Sequence, residues 1–489
     1  MLNLNKTIHC YKLCGYNIVL DIASGSVHSV DDVAFDAIIA YKDFDNKEEL
    51  LFHLIEKHPK TSKLDVIRLF DEIDGLVSSG KLFSSDDFAH LAHCNSGCSE
   101  ESLAPKKTQE KDSSVAPLAQ NDRHNVPLKA LCLNVSHSCN MSCAYCFADY
   151  ASCENNSYAL MSLETGKHAI DFLLKNSGKL NTLDVDFFGG EPLLNWDVVK
   201  GIVLYARELE RKSGKKFRFT LTTNGLLIDD DVIRFTNNHM YNVVLSLDGR
   251  PEVHDAYRKL LSGDGSYSEI VPKLLKLVTA RRGFGYYIRG TYTRKNMDFL
   301  NDALHIADLG FKEISLEPVV SKQGSPFELK KEDLPEIFEQ YETLAVEMLR
   351  REAIGRGFSF YHFTLDLSGG PCIHKRIAGC GVGEAYLAVT PTGDLYPCHQ
   401  FICDENFIMG DVLKGVANKK LQHDFSCCSV YSRSDCRDCW ARFYCGGGCP
   451  ANAHNAGAGI SGIHELGCEI FKKRIECAIM MQVRVQGTV

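Results

Sequence analysis

The sequence predicts an α/β protein organised on a partial (β/α)6 barrel, with a small unit before the barrel and a cysteine-rich region after it. Three observations lead there. From Lys129 to about residue 355, short apolar runs alternate with helical patterns, and repeated strand–helix units form parallel sheets. Ahead of them, two β-type runs are followed by three helical patterns. Beyond them, the spacing of cysteines becomes the dominant pattern.

The 489 residues carry a net charge of −9, with 45% hydrophobic and 24% charged residues, an ordinary globular composition with room for two to four domains. No run of about 18 apolar residues occurs, so no membrane span is expected. Met1 to Lys12 lacks a signal-peptide pattern. A cytoplasmic, reducing location follows as an expectation, and there the 21 cysteines are read as metal ligands rather than disulfides.

Residues 1–90 read as a separate unit. Asn17 to Asp21 and Val27 to Val30 flank Ala23-Ser24-Gly25-Ser26, which predicts a hairpin. Asp31 or Asp32 can cap a first helix carrying Val33, Ala34, Ile38 and Ile39, and Lys47–Lys57 and Lys63–Ser78 supply two more. A small sheet with three helices is a winged-helix arrangement. Its 9 Lys/Arg against 15 Asp/Glu give a net of −6, the wrong sign for a phosphate partner, so nucleic acid is not expected. The arrangement resembles the precursor-peptide recognition domain of peptide-modifying enzymes. That resemblance implies a leader peptide added as a strand at Val27–Val30, against a groove helix Lys63–Ser78. Residues 91–127 are polar and aperiodic and read as a linker, with Cys94 and Cys98 as incidental thiols.

Residues 128–355 hold the barrel. Its expected strands are Ala130–Val135, Leu183–Phe188, Phe217–Thr222, Asn242–Leu247, Tyr286–Tyr292 and Glu313–Glu317, with Ser162–Asn176 and Trp196–Ser213 as the first helices. Chemistry in such barrels sits at the C-terminal strand ends. The first strand delivers Cys139, Cys143 and Cys146 in C-x3-C-x2-C spacing. Three thiolates can hold three irons of a [4Fe–4S] cluster and leave the fourth for an exogenous chelate. By spacing alone, a zinc loop or buried thiols remain open. After the second strand comes Gly189-Gly190-Glu191-Pro192, a carboxylate at a strand end suited to an ammonium, with glycines that permit close approach.

The cysteine spacing, with Gly189 placed 43 residues after Cys146, resembles the two signatures of the radical S-adenosylmethionine (SAM) enzymes. The resemblance implies that Cys139, Cys143 and Cys146 are catalytic, holding the cluster that cleaves SAM reductively to a deoxyadenosyl radical. Tyr145 then lies beside the adenine, and Glu191 takes the ammonium. Thr223, Asn224, Ser246 and Asp248 lie in loops resembling those that face SAM ribose and substrate, although Asp248 reads equally as a helix cap. Arg289 is expected to meet the SAM carboxylate, an ordinary barrel salt bridge being its alternative.

Residues 356–489 carry Cys380, then Cys398 five residues after Gly393, then Cys436-x2-Cys439-x5-Cys445-x3-Cys449, then Cys468. A zinc knot is one reading of the central run. The full order resembles the SPASM extension of peptide-modifying radical SAM enzymes. This implies two auxiliary [4Fe–4S] clusters, one on Cys436, Cys439, Cys445 and Cys468, the other on Cys380, Cys398 and Cys449. Seven thiolates fall one short of eight. Either one iron is open, able to take a substrate thiolate, or Cys372 or another extra thiol closes it.

Gly15 to Asp21, the run through Cys139, Asp186 to Glu191, and Tyr444 to Cys449 together resemble the SCIFF peptide maturases. The resemblance implies thioether formation between a cysteine sulfur and an acceptor carbon, often of threonine. It also implies a cysteine-rich precursor peptide held by its leader, a reducing electron donor such as flavodoxin or ferredoxin, and an anaerobic host. Ala256 to Leu261 departs from the Arg-Pro-Thr of relatives, which puts substrate contacts at that loop in question. Two rival readings stand beside this one. A formylglycine-forming sulfatase-type maturase shares the cysteine order. An iron–sulfur winged-helix DNA-binding regulator is opposed by the acidic N-terminal unit and by the Gly189–Glu191 motif.

Overall fold

The computed structural model describes residues 7–44, 46–91, 126–146, 159–321, 324–367 and 373–486. Most of the expected linker, with Cys94 and Cys98, and also Cys372, lie outside the described residues.

The N-terminal sheet is antiparallel, in the order β1 (Ile8–Leu13), β2 (Tyr16–Asp21), β3 (Val27–Val30). The expected hairpin is β2–β3, with Leu20 opposite Val27. β1 was not anticipated; its polar His9, Tyr11 and Lys12 obscure a strand pattern. Three helices follow: α1 (Asp32–Ala40), α2 (Lys47–Lys57) and α3 (Lys63–Ser78). Asp31 caps α1, accepting from the Ala34 amide at 2.8 Å. Leu50, Leu54, Val66, Phe70 and Ile73 pack with Val19 as a local core.

Alternation turns Ile18 and Leu20 to the opposite face of β2, and there they are fully buried in the main core. The sheet therefore has no free face, and residues 1–90 are not the separate unit that the sequence suggested. Ile22 is likewise buried, against Val430, Tyr431 and Phe443.

The barrel strands are β4 (Ala130–Ser136), β6 (Thr182–Gly189), β7 (Lys216–Thr223), β8 (Asn242–Ser246), β10 (Tyr286–Tyr292) and β11 (Glu313–Pro318). Two short strands, β5 (Met141–Cys143) and β9 (Arg258–Leu260), form a separate pair. All six expected barrel strands are present. Leu183, Val185 and Phe187 of β6 and Phe217, Phe219 and Leu221 of β7 alternate inward and are buried. α4 (Leu163–Asn176) starts at Ser162, whose hydroxyl accepts from the Thr165 amide at 3.0 Å. α5 (Trp196–Ser213) stops at Gly214, which takes the left-handed conformation of a helix end.

The main sheet runs β12-β11-β10-β8-β7-β6-β4-β13-β14-β15-β16, where β12 is Ser359–Phe360, β13 Tyr386–Val389, β14 Asp394–Tyr396, β15 Gly410–Asp411 and β16 Gly415–Val416. β4 and β11 do not pair, so the barrel is open, as expected. The open edge of β4 is taken by β13, in parallel, with Leu387 opposite Leu131. The cysteine-rich region thus continues the barrel's own sheet, and the expected boundary near residue 356 is not a break in the fold. Among the described residues no helix is long and apolar enough to cross a membrane.

Candidate active site

A cavity of about 190 Å³ opens at the C-terminal ends of the barrel strands. Cys139, Cys143, Tyr145 and Cys146 line it from the loop after β4. Gly189, Gly190 and Glu191 reach it from β6, Thr223 and Asn224 from β7, Ser246 from β8 and Arg289 from β10. Separate strand ends thus bring eleven of the expected residues together. Pro192 and Asp248 do not line it. Pro192 is buried as the first residue of a short helical turn, Pro192–Asn195, which Glu191 caps.

The cysteine loop is held by backbone contacts. The Gly190 amide donates to Ser136 O at 2.7 Å, and the Glu191 amide to Ser138 O at 2.9 Å. A Cβ at Gly189 would lie 2.2 Å from Ser136 O, and one at Gly190 would lie 2.2 Å from Ser138 O. The two glycines therefore make room for the cysteine loop itself, where the sequence had suggested room for a ligand.

Glu191 is 1% exposed. It accepts from the Leu193 amide at 3.0 Å, the Thr223 hydroxyl at 2.8 Å and the Asn224 amide at 2.8 Å. Burial outweighs these bonds and pushes its carboxyl up to about 7. Asn224 continues the chain of contacts, donating to Asn140 Oδ1 at 2.8 Å and lying 3.8 Å from Cys139 Sγ. Glu191 thereby links the ends of β6 and β7 to the first cysteine.

Asp248 is neither a helix cap nor a wall of the cavity. It is a buried carboxylate, 3.0 Å from Arg258 Nε, accepting from the Thr291 amide at 3.0 Å and from the Tyr145 hydroxyl. Arg258 lies 5.6 Å above the Tyr145 ring and lines the cavity beside Cys143. It arrives there because β5 pairs with β9, setting Cys143 opposite Arg258. The loop that departs from the expected pattern therefore supplies a cation beside Cys143.

Glu317, His399 and Gln400 also line the cavity and were not expected. Burial works to raise the Glu317 carboxyl, but His362, Arg474 and Arg289 overcome it and hold it below the usual carboxylate range. His399 packs tilted against Phe188, ring centroids 4.8 Å apart, and burial, then Arg289, pushes it down to about 4. Position at a strand end was the signal for Glu317; adjacency to Cys398 was the signal for His399.

Cys436, Cys439, Cys445 and Cys468 line one cavity of about 460 Å³. Burial, then the other three thiols, pushes Cys445 up to about 12. Burial, then Cys436 and Cys439, pushes Cys468 up to about 11. Cys398 is pushed up to about 12 by burial, with Cys449 and Cys380 adding to it. Both sets expected from the sequence are therefore brought together in space, with soft donors suited to iron–sulfur ligation. Among the described residues no three His, Cys, Asp or Glu side chains converge tightly enough to hold a single metal ion; the four thiols instead surround a wider space. Cys428 shares a small cavity with Cys380, its thiol donating to Ile460 O at 3.4 Å and Asp424 O at 3.5 Å. Cys403 and Cys427 are disulfide-bonded, contrary to the expectation that disulfides would be lacking.

Residues 133–293 match the family model described as the Radical SAM superfamily. An uncharacterized protein of Methanocaldococcus jannaschii is 30% identical over 197 residues, 40% of this chain and 64% of that protein; this chain thus spans less than two thirds of that relative. A cysteine-type anaerobic sulfatase-maturating enzyme of Clostridium novyi is 24% identical over 342 residues, 63% of this chain and 88% of that one. Among solved structures, native anSMEcpe with bound AdoMet and Kp18Cys peptide shares the fold. It has a TM-score of 0.60 at 22% identity, covering 74% of this chain and all of that one. The matched stretch contributes the cysteine loop and the ends of β6 to β10 to the cavity; Glu317, His399 and Gln400 come from beyond it.

Proposed function

We propose that the chain is a radical SAM maturase that installs thioether crosslinks in a cysteine-rich precursor peptide of the SCIFF type, joining a cysteine sulfur to an acceptor carbon, often of threonine. The observation that carries this reading is the turn Cys398-His399-Gln400. Its first residue belongs to a C-terminal thiol set, and its next two line the cavity of Cys139, Cys143 and Cys146. A sulfur held beside Cys398 would be near a carbon held in that cavity, which is a gain in positioning.

When bound, a [4Fe–4S] cluster at Cys139, Cys143 and Cys146 with SAM supplies hydrogen-atom abstraction, and clusters at the two C-terminal thiol sets supply electron acceptors. Glu191 pins the Thr223–Asn224 loop on which SAM is to rest. Ser246 and Arg289 offer a hydroxyl and a cation to its polar groups, and Asp248 fixes Tyr145 and Arg258 beside it. Cys380, Cys398 and Cys449 supply three of four thiolates, leaving a place for the substrate sulfur. A reducing donor such as flavodoxin or ferredoxin provides the electron. The edge of β3 supports capture of a leader peptide, since β3 pairs only with β2 among the described strands.

The sulfatase-type reading has the similarity to sulfatase-maturating enzymes in its favour. One experiment separates them. The anaerobically reconstituted protein is incubated with SAM, a reductant and a cysteine-rich precursor peptide that carries threonine acceptors. Thioether formation removes two hydrogens per crosslink and leaves the sulfur in the peptide, resistant to alkylation. Formylglycine formation removes the sulfur. Loss of sulfur, or no change in the peptide, refutes the thioether reading. Cys372→Ala and Cys428→Ala then test the open place: both should retain crosslinking, while Cys449→Ala should lose it.

A further inference from the structure

We infer that Asp86, on the N-terminal unit, is a positioning residue for the cavity of Cys436, Cys439, Cys445 and Cys468: it holds Arg442 there and sets the reduction potential of the iron–sulfur group that those thiols carry. The inference rests on the reading of that thiol set as a cluster site.

Arg442 is 4% exposed and lines the cavity with the four thiols. Each of its three guanidinium nitrogens donates a hydrogen bond. Nε and Nη2 donate to Asp86 Oδ2 at 3.2 and 3.1 Å, and Nη1 donates to Cys439 O at 3.1 Å. Asp86 Oδ1 accepts from the Tyr431 hydroxyl at 2.6 Å and the Phe88 amide at 3.1 Å. The geometry is that of a fork fixed from both sides, in which neither charge can turn away.

The source of the carboxylate is what gives the arrangement meaning. The cavity's other cations find partners within it, Lys472 on Glu469 at 2.8 Å and Lys331 on Glu465. Arg442 takes its partner from 356 residues away. The segment that brings Asp86 there leaves α3 and is fastened at each step. His28 of β3 meets Lys81 O at 2.9 Å, the Ser84 amide donates to Asp21 at 2.9 Å, and Phe88 packs edge-on against Phe443 at 5.7 Å. The N-terminal unit thus completes the charge balance of the C-terminal thiol site. A guanidinium beside an iron–sulfur group favours its reduced, more negative form, and a paired carboxylate offsets that effect.

The test uses the full chain, reconstituted anaerobically with iron and sulfide, and reads iron content and an electron-spin-resonance redox titration. Cys436→Ala/Cys439→Ala identifies the signal of this site by its loss; if iron content does not fall, the cluster reading fails, and this inference with it. With that signal identified, Asp86→Asn should keep its iron and shift the potential upward. Arg442→Gln should shift it downward, and Asp86→Glu should restore the wild-type value. An unchanged potential in Asp86→Asn at full iron would overturn the inference, as would shifts of one sign in both variants. Loss of iron in Asp86→Asn but not in Arg442→Gln would also overturn it, because Asp86 would then serve only Tyr431 and packing.

Discussion

Gly190 and Ser138 meet so closely that a methyl group on the glycine would lie 2.2 Å from the serine carbonyl. This contact presses the end of β6 onto the loop that carries Cys139. Gly190→Ala must push that loop aside, and overpacking of this kind costs about 1–3 kcal/mol. The variant is expected to melt lower and to reconstitute with about four fewer irons, the content of one cube. Wild-type iron and an unchanged melting temperature would refute the account.

The Cys139, Cys143 and Cys146 thiols line one cavity and have one expected task. Replacing all three with Ala should remove about four irons from a total of about twelve. It should also abolish 5′-deoxyadenosine production, measured by chromatography. Continued production would mean that SAM is cleaved elsewhere.

Glu191 gives a pH signature. Burial raises its carboxyl from the ordinary 4.5 to about 7, so the folded state holds its proton more tightly than the unfolded chain. The stabilisation is therefore fully present below about pH 4.5 and is lost as pH rises through about 7, on the order of 3 kcal/mol in all. Melting of the cluster-free protein across that window should show the decline, and Glu191→Gln should flatten it. Equal slopes in the two proteins would rule the assignment out.

Ser29 lies opposite Ile18 in the β2–β3 ladder. The Asp21 amide bonds to Ser26 O, so strict alternation along an antiparallel ladder turns the Ser29 amide away from β2, toward the open edge. Ser29→Pro removes that donor without breaking the hairpin. Leader binding by the full chain, followed by fluorescence anisotropy, should weaken roughly tenfold if one net hydrogen bond of about 1 kcal/mol and some edge geometry are lost. Unaltered affinity would place the leader elsewhere.

The strand–helix alternation, the three thiol sets and most of the cavity residues were legible because each lies within a local pattern. What was missed is non-local. Arg258 meets Cys143 only through the β5–β9 pairing, and periodicity carries no information about which distant strands pair. Pro192 and Asp248 were placed at the right strand ends but turned away from the cavity, since a strand end does not reveal the direction of its last residues. The fusion of the N-terminal sheet did have a signal. Ile18, Val19 and Leu20 are three apolar residues in a row, the mark of a strand buried on both faces rather than one.

That two-sided burial bears on engineering. A chain cut to begin at residue 128 would bare the surfaces that receive Ile18, Leu20 and Ile22, among them Val430 and Phe443, and would be prone to self-association. Residues 1–90 therefore cannot be exchanged as a cassette between enzymes. On the proposed leader-binding role, retargeting to a new peptide is done by rewriting the rim, at Val27–Val30 and at the exposed Leu64 and Ile67 of α3, while the buried faces are left as they are.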